Sequence, residues 1–87
     1  MTVKVHRRFW ECYDRLPEST RRQADKQYAL WRRNPFHPSL HLKIVKPGLW
    51  SARVDLNHRA LARSRGDLVV WFWIGTHDEY RRLLRSL

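Results

Sequence analysis

The residues Thr76, His77, Asp78, Glu79 and Tyr80 follow directly on the most apolar run of the chain, Leu68 to Ile74, with only Gly75 between. His77 is the one side chain of that group suited to taking or giving a proton near neutral pH. Asp78 and Glu79 have a simpler reading. Thr76 and Glu79 stand at the spacing of a capping box, and carboxylates in a first helical turn suit the helix dipole. They are therefore expected to start a helix, while capping makes no demand for the histidine. Either His77 is delivered to a site by the preceding strand, or it is an incidental surface residue.

Cations form the second chemical feature. The chain carries 18 Lys and Arg against 8 Asp and Glu, a formal net charge of +10, which points to a polyanionic or strongly acidic partner. Residues 34–66 hold Lys43, Lys46, Arg53, Arg59, Arg63 and Arg65 against the single acid Asp55, so the surplus reaches beyond the helices. If the apolar sides of the strands pack on helices, then His41, Lys43, Arg53 and Arg59 converge on the opposite face. Phosphates could take those cations and unstacked bases the nearby aromatics, as an RNA-binding surface requires. The same charge pattern would also suit a face that is merely solvated.

Other chemistries are disfavoured. Cys12 is the only cysteine, so neither an internal disulfide nor a cysteine-based zinc site can form, and a reducing compartment, the cytoplasm, is the expected location. The five histidines lack metal-ligand spacing, and there is no phosphate-binding glycine loop or GxSxG motif. No cofactor is expected. The Leu68 to Ile74 run is far short of the roughly 20 residues of a membrane-spanning helix, and no secretory leader, repeat or linker is read. The 87 residues are expected to form one domain, 1–87.

The elements that must position these residues follow from periodicity. Phe9, Cys12, Tyr13 and Leu16 recur at helical spacing, predicting a helix from Val5 to Leu16 with Trp10 beside the stripe. Pro17 ends it and opens a second helix whose buried stripe is Ala24, Tyr28 and Trp31; "NPFHP" ends that one. After Pro38 the period becomes two. Leu40, Leu42 and Ile44 alternate with His41 and Lys43; Trp50, Ala52, Val54 and Leu56 alternate with Ser51, Arg53, Asp55 and Asn57; "RALAR" gives a third strand. The fourth, Leu68 to Ile74, is apolar on both faces and hence central, with Val69, Trp71 and Trp73 on one side and Leu68, Val70, Phe72 and Ile74 on the other. Tyr80, Leu83, Leu84 and Leu87 form the stripe of a last helix. The expected fold is α+β: an N-terminal helical hairpin packed on a four-stranded antiparallel sheet, with a short C-terminal helix.

In this order and spacing, the helical hairpin, "NPFHPSL", "LWSARV", "HRAL" and "WFWIGTH" followed by Glu79 and Tyr80 resemble the RelE/ParE superfamily of toxins from bacterial type II toxin-antitoxin systems, over Arg8 to Leu84. The resemblance implies a ribosome-dependent endoribonuclease that cuts mRNA without a metal, driving the ribose 2′-OH onto the adjacent phosphate. It implies catalytic roles for Arg59, where the RelE branch carries a phosphate-binding arginine, for His77, where relatives place an Arg or His, and for Arg53 on the preceding strand. Lys43, Lys46, His41, Arg63 and Tyr80 are the expected RNA contacts. Ser51 stands where some members have lysine, and Leu83 where the best-known type has tyrosine. The ParE branch shares the fold but poisons DNA gyrase; a non-catalytic RNA-binding module is the third reading. The resemblance also implies partners: an acidic antitoxin, the ribosome and mRNA.

Overall fold

In the computed structural model, which describes residues 1–87, the chain begins with a strand, β1 (Thr2–Val5). Helix α1 (Arg7–Asp14) follows, capped by His6, whose Nδ1 accepts from the Arg8 N–H at 3.0 Å. The predicted helix start at Val5 is thus corrected: Val3 and Val5 alternate with Thr2 and Lys4, and backbone pairing to the sheet prevails over the helical stripe that Val5 could extend. Next come α2 (Glu18–Arg33), a 3-10 turn (Pro38–Leu40), β2 (Lys43–Lys46), β3 (Leu49–Asp55), β4 (His58–Arg65), β5 (Leu68–Thr76) and α3 (His77–Ser86).

The α+β class and the helical hairpin stand, but the sheet has five strands rather than four, in the order β1-β5-β4-β3-β2, and it is mixed. Strand β1 runs parallel to β5, with Val3 opposite Val69 and Val5 opposite Trp71, while the other pairs are antiparallel. The hairpin is the crossover between β1 and the antiparallel meander. Leu40, predicted to open a strand, lies instead in the 3-10 turn, because Pro38 supplies no N–H and presets a helical φ. Leu56, placed by alternation on the apolar face, is exposed in the β3–β4 turn.

Two apolar layers hold the sheet. On the hairpin side Leu16, Ala24, Trp31 and Leu40 pack on Ala52, Val54, Ala60, Ala62, Val69, Trp71 and Ile74. Alanines at three of those strand positions leave room for the Trp31 and Trp71 rings, which meet edge to face with centroids 5.1 Å apart. Tyr28, read as part of the α2 stripe, is exposed, and Gln27 is buried in its place. On the other side Leu49, Leu61 and Tyr80 form a smaller cluster, backed by Phe72, Trp73, Leu83 and Leu84.

A bulge decides which aromatics face which layer. Leu61 pairs with Trp73 and Ala62 with Trp71, so Phe72 is an extra residue in β5. The predicted alternation fails at that point. Ile74 joins Val69 and Trp71 under the hairpin, and Trp73 turns with Phe72 toward α3. Its indole then lies over Gly75, where a Cβ would sit 2.5 Å from Trp73 Cζ2 and 3.0 Å from Glu79 Oε1, so only glycine fits.

The expected capping box starts α3. Thr76 Oγ1 accepts from the Glu79 N–H at 3.2 Å, and Glu79 Oε1 accepts from the Thr76 N–H and hydroxyl, each at 2.9 Å. These hydrogen bonds, the backbone one first, hold the Glu79 carboxyl below its ordinary value. A carboxylate with a lowered folded-state pKa contributes stability that is present at neutral pH and lost as pH falls through the lowered value. Thr76→Ala is expected to cost about 1 kcal/mol at pH 7. The stability difference between wild type and Glu79→Gln should shrink as urea titrations are carried below about pH 4; a difference constant from pH 7 to 2 would show that the charge contributes nothing.

Candidate functional site

Arg59 lies in β4 directly opposite Arg53 of β3 and Gly75 of β5. It is a strand residue facing α3, and Tyr80 of α3 lies over it, so the residue is only 6% exposed. The face read as an open basic surface is thus partly roofed. Arg59 Nε donates to Ser51 Oγ at 2.7 Å, and one terminal nitrogen donates to the His41 carbonyl at 3.1 Å. The Tyr80 ring covers it, its centroid 5.3 Å from the guanidinium carbon. Both oxygens it bonds are neutral. Burial pulls the guanidinium below its ordinary pKa, the Tyr80 phenol works against that shift, and Arg53 adds to it.

His41 lies at the end of the 3-10 turn in the left-handed region, φ 42°, the only non-glycine residue with positive φ. Three contacts fix it. Its N–H donates to the Pro38 carbonyl at 3.1 Å, its carbonyl accepts from Arg59, and its Nε2 lies 3.1 Å from an Arg53 terminal nitrogen. A guanidinium has no lone pair, so Arg53 donates and His41 Nε2 accepts, which leaves the ring proton on Nδ1. From the hairpin side, the buried Gln27 amide donates to the Arg53 carbonyl at 3.0 Å and to the Ser39 carbonyl at 3.3 Å. Helix α2 thereby ties the segment before β2 to β3.

His77 is the first residue of α3. Its N–H donates to the Asn57 carbonyl at 2.7 Å, and its exposed ring meets Tyr80 edge-on at 5.6 Å. A continuous chain of contacts therefore runs from His41 and Arg53 through Arg59 and Tyr80 to His77. Five of the eight residues singled out in the sequence are brought together. Lys43, paired with Ser51, shares the face of Arg59 one row away and is exposed. Lys46 is diverted: its amine donates to the carbonyls of Leu84, at 3.4 Å, and Leu87, tying down the C-terminal end of α3. Arg63 sits apart, toward the other end of β4, over the Phe72 ring at 5.3 Å.

None of the ion pairs in the structure involves Arg53, Arg59 or Lys43. The one acid of that region, Asp55, is spent locally. Burial acts to raise its carboxyl, but hydrogen bonds from His58 Nδ1, at 2.9 Å, and the Asn57 N–H outweigh it and hold it below the ordinary value. Two residues that matter here escape a reading by pattern. Ser51 is fully buried although alternation puts it on a wet face, and Gln27 looks like one polar residue among many on α2. Such a cluster can neutralise an anion at paired guanidinium groups, with an imidazole on either flank.

Comparison with known proteins gives the arrangement a context. Among solved structures, the YoeB/ParE toxin from Agrobacterium tumefaciens is 20% identical, with a TM-score of 0.70 over 88% of this chain and 99% of that one. RelE in the RelB-RelE complex from Methanococcus jannaschii is 12% identical, with a TM-score of 0.73 over 91% and 95% of the two chains. YafQ from E. coli is 13% identical, with a TM-score of 0.70 over 90% and 94%. These likenesses establish a shared fold. No curated protein sequence matches. A family model described as the ParE-like toxin domain matches residues 18–82, and to that family the chain belongs.

Proposed function

We propose that this protein is the toxin of a type II toxin-antitoxin pair and inhibits translation as a metal-independent endoribonuclease, cutting mRNA in the ribosomal A site. The observation that carries the reading is the guanidinium of Arg59, buried without a counter-ion and paired across the strands with a second arginine. Burying a cation among neutral groups costs stability unless an anion completes it. Such a cost is characteristic of a functional site. A scissile phosphate is an anion of the right kind, and the charge that develops on it during cleavage is what preorganised donors stabilise. Of the five N–H donors of Arg59, two are engaged by Ser51 and the His41 carbonyl, and a phosphate would draw on the others.

In this reading the 2′-OH attacks the adjacent phosphorus, Arg53 and Arg59 hold the phosphate oxygens, and His77 exchanges a proton with the reacting oxygens. Lys43 supplies further positive charge along the strand, and an acidic antitoxin neutralises the same cations. The solved relatives from Methanococcus jannaschii and Pyrococcus horikoshii are RelE proteins bound to RelB, which supports a protein partner of this kind. The cytoplasm is the place where such a toxin meets translating ribosomes. The ParE-like description of the family keeps gyrase poisoning as the second reading. A non-catalytic RNA-binding module is the third.

Induction without antitoxin should stop growth and produce message ends at codon boundaries in primer extension. Intact messages with accumulating gyrase-DNA complexes would replace this reading with the second, and salt-dependent RNA binding without cut ends would replace it with the third. Arg59→Ala should lower cleavage by about 10²-fold or more, the scale for losing one preorganised charge donor. Arg59→Lys should recover only part of that, because lysine lacks the forked geometry that bonds Ser51 and the His41 carbonyl together. Undiminished cleavage by a folded Arg59→Ala protein would remove Arg59 from the site. His77→Gln should keep the fold and lower cleavage by about 10² to 10⁴-fold. The adjacent Thr76→Ala change, which weakens the cap alone, should leave the rate nearly unchanged.

A further inference from the structure

Two exposed histidines, His6 and His41, have the N–H, the carbonyl and one ring nitrogen all partnered, and only His41 is held by arginines of the site. Its backbone is turned into the left-handed region, its N–H, its carbonyl and its Nε2 each have a partner, and two of those partners are the arginines of the site. A side chain at a helix-turn exit has no structural need for an imidazole there. Asn or Gly would satisfy the backbone as well. A sparsely populated conformation that its surroundings over-determine is a recurring mark of functional residues.

We infer that His41 is the catalytic base of the site, its Nε2 taking the ribose 2′-OH proton. The inference rests on the RNA-cutting reading and goes beyond it by dividing the two histidines between two roles. The arrangement of the row supports the division. Arg59 touches His41 on one side through its carbonyl and Tyr80 on the other, and His77 packs on the far side of Tyr80. A phosphate held at the arginines would therefore have one imidazole on each flank, as an in-line displacement requires of the groups serving its attacking and leaving oxygens.

The hydrogen bond from Arg53 fixes the tautomer in advance. In the resting protein Nε2 is occupied by the Arg53 nitrogen 3.1 Å away. When the phosphate draws the Arg53 fork toward its oxygens, the Nε2 lone pair is released beside the 2′-OH, so the base becomes free only when substrate is present. In the step itself the O2′ proton passes to His41 Nε2 as O2′ bonds to phosphorus. The P–O5′ bond breaks, and O5′ takes a proton from a protonated His77. The products are a 2′,3′-cyclic phosphate and a 5′-hydroxyl, and exchange with water restores both rings.

Replacing the bridging 5′-oxygen of the A-site codon by sulfur separates base from acid, because a thiolate leaves without being protonated. His77→Gln should be slow on the oxygen message and recover on the sulfur message. His41→Asn keeps a residue that tolerates left-handed φ, and with it the carbonyl that Arg59 bonds. It should be slower than wild type by about 10² to 10⁴-fold on both messages, with unchanged melting temperature and message binding. Near wild-type cutting of the oxygen message by His41→Asn, or its recovery on sulfur, would overturn the assignment while leaving the RNA-cutting reading intact. Failure of the wild type to cut either message would remove both. A message with a 2′-deoxy sugar at the site binds without reacting and should shift the ¹⁵N resonance of His41 Nε2 as Arg53 departs; an unmoved resonance would overturn the release by substrate.

Discussion

The constraint around which the rest of the structure is arranged is a cation held without an anion. Arg59 is almost fully buried, bonded only to a hydroxyl and a carbonyl, and directly opposite another arginine across an antiparallel pair. Like charges opposite one another on neighbouring strands are destabilising, and burial sharpens the effect by removing the water that would screen them. The position persists because its surroundings are fixed from three directions. Ser51 is locked inside the sheet, the His41 carbonyl is presented by a turn in the left-handed region, and Tyr80 is carried into place by α3. Any of these could hold an apolar side chain at less cost. That they hold a guanidinium argues that its use lies outside the folded state.

Each layer of the fold contributes to that fixation. The hairpin covers the larger apolar cluster with Leu16, Ala24 and Trp31, and through Gln27 it also grips the backbone at Arg53 and Ser39, so the two segments that flank the site are tied to one helix. On the other face α3 is clamped at both ends, by the capping box at Thr76 and by Lys46 at its last carbonyls. Lys46 lies in β2, the edge strand. Lys46, read in the sequence as an RNA contact, is exposed and donates to the last carbonyls of α3.

What could be read in advance, and what could not, follows from the range of the interactions. The capping box and the proline ends of the helices are local, and Thr76 with Glu79, and Pro17, form what their spacing predicts. Strand β1 is hidden because four residues are too few to separate a period of two from the helical stripe that Val5 also fits. Its parallel pairing with β5 depends on residues more than sixty positions away. The bulge at Phe72 leaves no mark in an unbroken run of apolar residues, yet one extra residue exchanges the faces of Trp73 and Ile74. At the site, the cations and His77 are legible as types at positions. The burial of Arg59 and Ser51 is not, because it is created by α3 folding back over a face whose own pattern looks wet.

Fold alone does not assign an activity, since the YoeB/ParE toxin from Agrobacterium tumefaciens and RelE from Methanococcus jannaschii share it with this chain at only 20% and 12% identity. Function has to reside in side chains grafted on the scaffold. His41, Arg53, Arg59, His77 and Tyr80 all fall inside residues 18–82, the part matched to the ParE-like family, whereas β1 and α1 lie outside it. The matched segment therefore holds the whole contact chain. A surface that merely binds acidic protein could be built from exposed lysines and arginines such as Lys26, Arg32 and Arg33 of α2, which cost little to maintain. A buried arginine opposite a half-buried one, with a hydrogen-bonded histidine on one flank and a second histidine on the other, is a demanding arrangement for that purpose. Such an arrangement suits a small anion held in one orientation.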